Sequence, residues 1–408
     1  MKVGIGYCNE RDALLSGKEI AEKAIKKGKI HRPDFVLAFC SGYINHDEFF
    51  GGLQSVMGYE VPIIGGSAIG IITNNDLSYG GYPAGAAVVQ LDKLHHRIVA
   101  VGNLNKGEKI AGIKLGEKLS NELEDKLLLF FYDSIKKSAT ETRPPIMNAS
   151  TPIIKGIKEK QESNRLIIGA GVIGDYDFSP TKQFCGSYVD NQSVVGVMLN
   201  GDFETDFRIM HGCTPLDGNY HTITKIDGPV IYEIDNKPIV EMIDNIYGNQ
   251  NWRNQHPVQL LTIGVNYGEK YEIPQEANYV NRLITGALPD GKGIGIFEPD
   301  FEEGTEIQFM LRDSEKMIKS AKKNSAELME QIVTDGREAV FGLYIDCAGR
   351  TANYTNTTTE EASEVQKIFN QYNTPLFGFY SGVEIAPLIG MSRGLDWTGV
   401  LMVLAVRR

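Results

Sequence analysis

Apolar and polar positions along the chain predict three similar units of strand, helix and strand, each leading into a glycine-rich turn. Their opening strands are continuous apolar runs, which are typical of strands buried on both faces. The third unit begins after a long amphipathic helix predicted at 314–334. The opening strands lie at 34–40, 126–132 and 339–346, the helices at 47–57, 150–162 and 359–372, and the turns at 65–72, 169–175 and 378–385.

Strand–helix–strand units that recur in one chain favour mixed, largely parallel sheets with right-handed crossovers. The region 202–335 instead alternates short apolar runs with turn sequences such as Asp227-Gly228-Pro229, and this predicts hairpins and a helix near 239–247. The predicted fold is therefore α/β, with three related strand–helix–strand units in mixed sheets, a β-rich insertion, and two closely associated domains at 1–225 and 226–408.

Composition and charge limit the classes of function that the chain could have. The 408 residues are 42% hydrophobic and 23% charged, as in an ordinary globular protein. A net charge of −11 argues against nucleic-acid binding, which usually needs a basic patch. Because the N-terminus lacks a signal-peptide pattern and no apolar run reaches the ~20 residues of a membrane helix, we expect a cytoplasmic protein without membrane insertion. Five scattered cysteines without a C-x-x-C pair predict neither disulfides nor structural zinc.

The turn sequences resemble those of the FIST family, sensory modules that pair an N-terminal and a C-terminal FIST domain. The N-domain pattern G-C-S-T-A-G-E-I stands here as Gly65–Ile72. The C-domain pattern corresponds to 347–350 and 378–385, and the junction resembles 211–215. One position departs from the pattern, because Ile71 replaces the acidic residue of the first turn. The same position is Asp175 in the second unit and Glu384 in the third.

A ligand site is predicted where the turns follow the buried strands. Glycines at such positions let backbone N–H groups approach a ligand. The Arg350 guanidinium and the Glu384 carboxylate would hold the α-carboxylate and α-amino group of an amino acid, or would pair with each other. The predicted ligand-binding residues are Arg350, Glu384, Ser381, Tyr380, Gly378, Cys347, Gly66, Ser67 and Asp175.

The resemblance implies a non-catalytic sensor of small ligands, such as an amino acid or a small carboxylate. The sequence shows no kinase, cyclase or DNA-binding segment, so its signal is expected to pass to a separate signalling protein such as a histidine kinase. No metal site is predicted.

Two other functions stay open at this point. In one, Cys347 or Glu384 serves an enzyme that acts on a small amino- or carboxylate-bearing substrate, which requires a base beside the thiol. In the other, His211 at the junction ligates haem, since some FIST relatives are described as haem-binding gas sensors. The structural alternative is that His211 donates to a backbone carbonyl.

Overall fold

The computed structural model describes residues 1–90, 95–119, 126–138, 145–161 and 165–407, which form a mixed α/β structure. Its helices, α1 to α8, are Ala13–Gly28, His46–Met57, Glu108–Lys118, Ser150–Glu159, Ile239–Tyr247, Ser314–Thr334, Ala352–Thr355 and Glu361–Gln371. Its strands, β1 to β29, are Lys2–Asn9, Phe35–Ser41, Ile63–Ala68, Ile71–Thr73, Leu77–Ser78, Pro83–Gln90, His95–Val101, Leu127–Asp133, Ile135–Lys137, Ile146–Met147, Leu166–Val172, Gln183–Gly186, Tyr188–Asp190, Val194–Asn200, Glu204–Met210, Thr214–Pro215, His221–Asp227, Val230–Ile234, Lys237–Pro238, Leu261–Asn266, Tyr279–Arg282, Ile284–Ala287, Ile294–Ile296, Glu306–Leu311, Arg337–Cys347, Leu376–Ser381, Val383–Leu388, Met391–Leu395 and Gly399–Arg407.

Three six-stranded sheets share one plan. Their strand orders are β1-β6-β2-β3-β12-β13, β7-β14-β8-β11-β27-β28 and β15-β29-β25-β26-β4-β5, and we call them the first, second and third sheets. In each sheet one unit supplies a parallel pair, and another unit supplies the last two strands as a hairpin. The hairpin β4–β5 of the first unit joins the third sheet, β12–β13 joins the first, and β27–β28 joins the second. The units therefore exchange hairpins in a closed ring.

The three sheets enclose a common apolar core. Phe39 on β2, Phe131 on β8 and Phe379 on β26 meet there, and all three are fully buried. The ring of Phe39 stacks on Phe379 at 3.8 Å and meets Phe131 edge-on at 5.0 Å between centroids. The pair α1 and α2, the pair α3 and α4, and the pair α6 and α8 pack beside successive sheets. The predicted α/β fold of three related units is confirmed.

The region between the second and third units is rich in strands, as the sequence predicts. Strands β16 to β24 form a sheet that packs with α5 around an apolar core of its own, which includes Trp252, Ile263 and Phe309. Strand β15, in contrast, leaves this region and pairs with β29 in the third sheet. The boundary expected between residues 225 and 226 falls within β17, and it stays a prediction.

Some element ends differ from the sequence-based expectation. Helix α8 begins at Glu361 rather than at Thr359, and its N-cap residue Glu360 makes no side-chain capping bond. Helix α3 was not predicted. The expected end of the second unit's helix, Glu162, lies outside the described residues, within which α4 ends at Glu159. Among the helices that the structure describes, none is long and apolar enough to cross a membrane.

Candidate functional site

The three glycine-rich turns contact one another at the ends of the parallel strands. The backbone N–H of Tyr380 donates to the carbonyl of Gly70 at 3.0 Å, and Ile69 N–H donates back to the Tyr380 carbonyl at 3.2 Å. The N–H of Gly382 donates to the Gly171 carbonyl at 2.9 Å. These amides, expected from the sequence to face a ligand, instead join the turns to one another.

Glycine is required in two of these turns by the close approach of neighbouring backbone. A Cβ atom on Gly66 would overlap the carbonyl oxygen of Lys182, and one on Gly378 would overlap the carbonyl oxygen of Tyr344. No side chain fits at either position unless a strand moves away. Close packing between strands therefore explains why these two positions are glycine.

Arg350 lies in a short 3-10 helix, Ala348–Arg350, directly after β25, and each of its three guanidinium nitrogens donates to a protein oxygen. Its Nε donates to Asp346 Oδ1 at 3.2 Å, and its Nη2 donates to Glu361 Oε1. Its Nη1 donates to the carbonyl oxygens of His211 at 3.1 Å and Trp397 at 2.7 Å. With only 1% of its surface exposed, Arg350 presents no free face to a ligand.

Two tyrosines complete this group of side chains, which we call the Arg350 cluster: Arg350, Asp346, Glu361, Tyr344 and Tyr380. Asp346 and Tyr380 are register partners on β25 and β26, so both face α8 on the same side of the third sheet. The Tyr344 hydroxyl donates to Glu361 Oε1 at 2.9 Å. Burial raises the pKa of both carboxyl groups, and Arg350 opposes the rise. Two desolvated carboxyl groups thus share one cation.

Glu384 lies on the opposite face of the third sheet from the Arg350 cluster. Ser381 and Cys347 are register partners that face this other side, and Ser381 Oγ donates to Glu384 Oε1 at 2.8 Å. Burial raises the pKa of Glu384 well above its ordinary range, which favours the neutral acid. The expected pairing of Arg350 with Glu384 is therefore corrected, because strand alternation separates them and Arg350 bonds to other carboxylates.

Cys347 does not have the surroundings of a catalytic thiol. Burial raises its pKa far above the ordinary value, and the Glu384 carboxyl raises it further. Within the described part of the chain, no basic side chain is hydrogen-bonded to its sulfur. A nucleophilic cysteine needs a stabilised thiolate, and this environment favours the neutral thiol.

The first and second turns place Ser67 and Asp175 in local hydrogen-bond networks. Ser67 Oγ lies 2.8 Å from Nε2 of His46, a residue that sequence reasoning did not select. Burial lowers the pKa of His46 to about 4, so the imidazole is neutral at pH 7. Asp175 Oδ1 accepts from the amides of Asp177 at 2.9 Å and Ser179 at 3.1 Å, which shapes the loop after the turn.

His211 uses both ring nitrogens within the protein. Its Nδ1 accepts from the amide of Cys213 at 2.9 Å, and its Nε2 donates to the carbonyl of Glu276 at 3.1 Å. The ring is buried, and burial lowers its pKa, which keeps it neutral. A haem iron needs a free imidazole nitrogen, so this arrangement does not fit His211 as an iron ligand.

A group of tyrosines borders the Arg350 cluster toward the surface, and we call Tyr79, Tyr176 and Tyr354 the tyrosine rim. Tyr79 meets Tyr380 edge-on at 5.8 Å, and its hydroxyl donates to Glu360 at 2.6 Å. Tyr176, which is 39% exposed, stacks on Tyr354 at 5.6 Å. None of the three was predicted, because isolated tyrosines in loops carry no sequence signal.

Comparison with protein-family models shows which family the chain belongs to. The family model of the FIST N domain matches residues 34–237, and that of the FIST C domain matches 241–387. The chain belongs to the FIST family. The family resemblance is confirmed, and FIST domains are associated with sensing in signal transduction.

Relatives of this FIST chain come from distant organisms. It is 28% identical over 226 residues to an uncharacterized protein of Mycobacterium tuberculosis, and the match covers 55% of this chain and 57% of that protein. It is 22% identical over 345 residues to an uncharacterized protein of Methanocaldococcus jannaschii, covering 76% and 60%. The chain thus spans less than two thirds of these curated relatives. A chorismatase crystal structure aligns with 92% of this chain and 93% of its own at 8% identity and a TM-score of 0.32.

Both FIST domains contribute to the site. Tyr79 and Tyr176 belong to the part matched by the FIST N domain, whereas Arg350 and Tyr380 belong to the FIST C domain. A separate cleft of about 270 Å³, lined by Thr73 and several asparagines, opens at the other end of the third sheet, where β26 begins. The Arg350 cluster and the tyrosine rim therefore mark the junction of the two FIST domains.

Proposed function

We propose that this FIST chain is a non-catalytic cytoplasmic sensor whose small ligand, an amino acid or a small carboxylate, binds at the Arg350 cluster beneath the tyrosine rim. The observation that carries this proposal is a set of unmatched buried polar atoms. Asp346 Oδ2, Glu361 Oε2 and the Tyr380 hydroxyl have no hydrogen-bond partner among the described residues. Leaving such a buried group unpaired costs about 1–3 kcal/mol, so each favours a ligand that supplies the partner.

The site's composition supports signalling between the domains. The rim residues Tyr79 and Tyr176 belong to one FIST domain and the floor residues Asp346 and Tyr380 to the other. A ligand that contacts both would favour one relative packing of the domains over another. The change would be read by a separate signalling protein such as a histidine kinase. A non-catalytic role is supported by Cys347, whose thiol is held neutral and lacks a bonded base.

A thermal-shift screen of amino acids, small carboxylates and nucleotides tests this proposal. A ligand at one hundred times its dissociation constant stabilises the folded state by about 2.7 kcal/mol, which raises the Tm measurably. Tyr380→Phe is a suitable variant, because it removes an unpaired hydroxyl and keeps the packed ring. Arg350 is unsuitable, because it makes four hydrogen bonds that the fold needs.

The expected result is a rise in Tm with at least one compound, reduced in Tyr380→Phe and kept in Tyr59→Phe. Tyr59 is 85% exposed and serves as the matched control. A rise in Tm of equal size in both variants would show that the ligand binds outside the Arg350 cluster. If no compound raised the Tm, the sensor proposal would be wrong for these classes of ligand.

A further inference from the structure

We infer that the Arg350 cluster and the tyrosine rim recognise the positively charged nitrogen of an organic ammonium ion, so that amines bind even without a carboxylate. This inference rests on the proposed function and narrows its ligand class. Simple carboxylates, one of the two classes considered above, are excluded by it.

Two of the cluster's three unpaired polar atoms are carboxyl oxygens, and the third is the Tyr380 hydroxyl, which can donate or accept. Asp346 and Glu361 each use one oxygen on Arg350, and the second oxygen of each is buried and unpaired. Arg350 supplies one positive charge to two carboxyl groups, so the second negative charge needs either a proton or a further cation, and an ionised carboxylate accepts hydrogen bonds from a donor. An ammonium nitrogen provides donors together with the positive charge that a second carboxylate requires. Glu360 at the rim adds a further carboxylate above the same space.

An anionic ligand would find no free cation in the cluster. The Arg350 guanidinium already donates to four protein oxygens, two of them carboxylates that are buried with it. A carboxylate could reach Arg350 only by displacing Asp346 or Glu361, which would leave that residue as an unpaired buried charge. Such a charge costs several kcal/mol, so the exchange is unfavourable.

The Tyr380 hydroxyl is an independent sign of a ligand. It is completely buried, lacks a hydrogen-bond partner, and lies on the face of the sheet that carries Asp346. Burial raises the pKa of Tyr380 well above its ordinary value, and the charges of the nearby Asp346 and Glu361 carboxyl groups raise it further. Its oxygen is available to accept from a donor that also bonds to the two carboxylates.

The aromatic rings favour the same ligand. Tyr79 lies edge-on to Tyr380 at 86°, and the stacked pair of Tyr176 and Tyr354 lies beside them. Ring faces attract organic cations within about 6 Å of the centroid and repel anions. Entry requires the rim to open, and the exposed Tyr176 offers the accessible side. Its hydroxyl bond to the carbonyl of Ala348, 2.9 Å long, would have to break.

A set of three small probes of matched size tests this inference: n-butylamine, tetramethylammonium chloride and sodium butyrate. Binding is measured by isothermal calorimetry and thermal shift at pH 7 and constant ionic strength. We expect n-butylamine to bind and butyrate not to bind. Tetramethylammonium is expected to bind more weakly than n-butylamine, because it engages the rings and charges but donates no hydrogen bond.

Two variants locate the binding. Tyr176→Leu removes a partly exposed ring, so it is expected to fold and to weaken the binding of n-butylamine at least fivefold. Asp346→Asn is expected to weaken it at least tenfold. Tyr176→Phe keeps the ring and lacks the hydroxyl bond that entry must break, so it is expected to bind at least as tightly as the wild type. Tyr59→Leu changes an exposed residue elsewhere and is expected to bind as the wild type does.

The outcomes separate this inference from the function on which it rests. Binding of butyrate but not of n-butylamine would overturn the ammonium inference and leave the small-ligand sensor intact. Binding of n-butylamine with equal affinity in Tyr176→Leu and Asp346→Asn would also overturn it, because the ammonium would lie elsewhere. If neither these probes nor the broader panel bound, the sensor function itself would fail.

Discussion

Replacing Arg350 by methionine is expected to destabilise the protein severely. The change keeps a side chain of similar length but removes the cation that bonds to both Asp346 and Glu361. Breaking a buried ion pair by deleting one partner costs about 3–5 kcal/mol, because a buried charge is left uncompensated. The carbonyls of His211 and Trp397 also lose their donor. Total stabilities are about 5–15 kcal/mol, so this loss is a large part of the whole.

Urea unfolding followed by circular dichroism measures this loss. The control is Lys319→Met, which breaks a helix-surface pair with Glu315 whose side chains are 75% and 84% exposed. Exposed pairs of this kind contribute about 0–1 kcal/mol. Adding Asp346→Asn and Glu361→Gln to Arg350→Met is expected to recover part of the loss, because neutral amides replace the unpaired carboxylates. A cost for Arg350→Met no larger than that of the control would refute the description of a desolvated cluster.

Three further changes test other parts of the structure, and each is measured by urea unfolding. Burial raises the pKa of Glu298 from 4.5 to about 8, so between pH 4.5 and about 8 the folded state holds a proton that the unfolded state has lost. The free energy of unfolding therefore falls as the pH rises through this range. Glu298→Gln is expected to make that fall smaller. Phe39→Ala, which empties the centre beside Phe379, is expected to cost about 3–5 kcal/mol. At Gly212 φ is +67° and an added Cβ would overlap the backbone of a neighbouring helix, whereas at Gly304 φ is +88° and the space is open. Gly212→Ala is therefore expected to lower the free energy of unfolding more than Gly304→Ala does. Equal losses would contradict the close packing at residue 212.

The three units were predictable because their buried strands carry uninterrupted apolar sequence. Helices α5 and α6 were placed correctly for a related reason, since their apolar spacing matches the helical period. The exchange of hairpins was not predictable. Ile71 pairs with Phe379, and no local pattern in a short strand specifies a partner so distant in the chain.

The site shows where sequence reasoning reached its limit. Tyr380 and Ser381 are adjacent in sequence, yet strand alternation sends them to opposite faces of the third sheet, so residues selected from one turn belong to two separate groups. Glu361 was missed because an acid in the first turn of a helix usually interacts with solvent and the helix dipole. Its burial against Arg350 arises from tertiary packing that the sequence does not reveal.

The ring of exchanged hairpins also governs the order in which a growing chain can fold. The first sheet can be completed once β13 has left the ribosome, but the second and third need strands from the far end of the chain. Until β26 is synthesised, β4 is paired only with β5, and its other edge is unpaired and prone to aggregation. A cut between the two FIST domains would make that temporary state permanent, so the halves are expected to be recovered only when they are produced together.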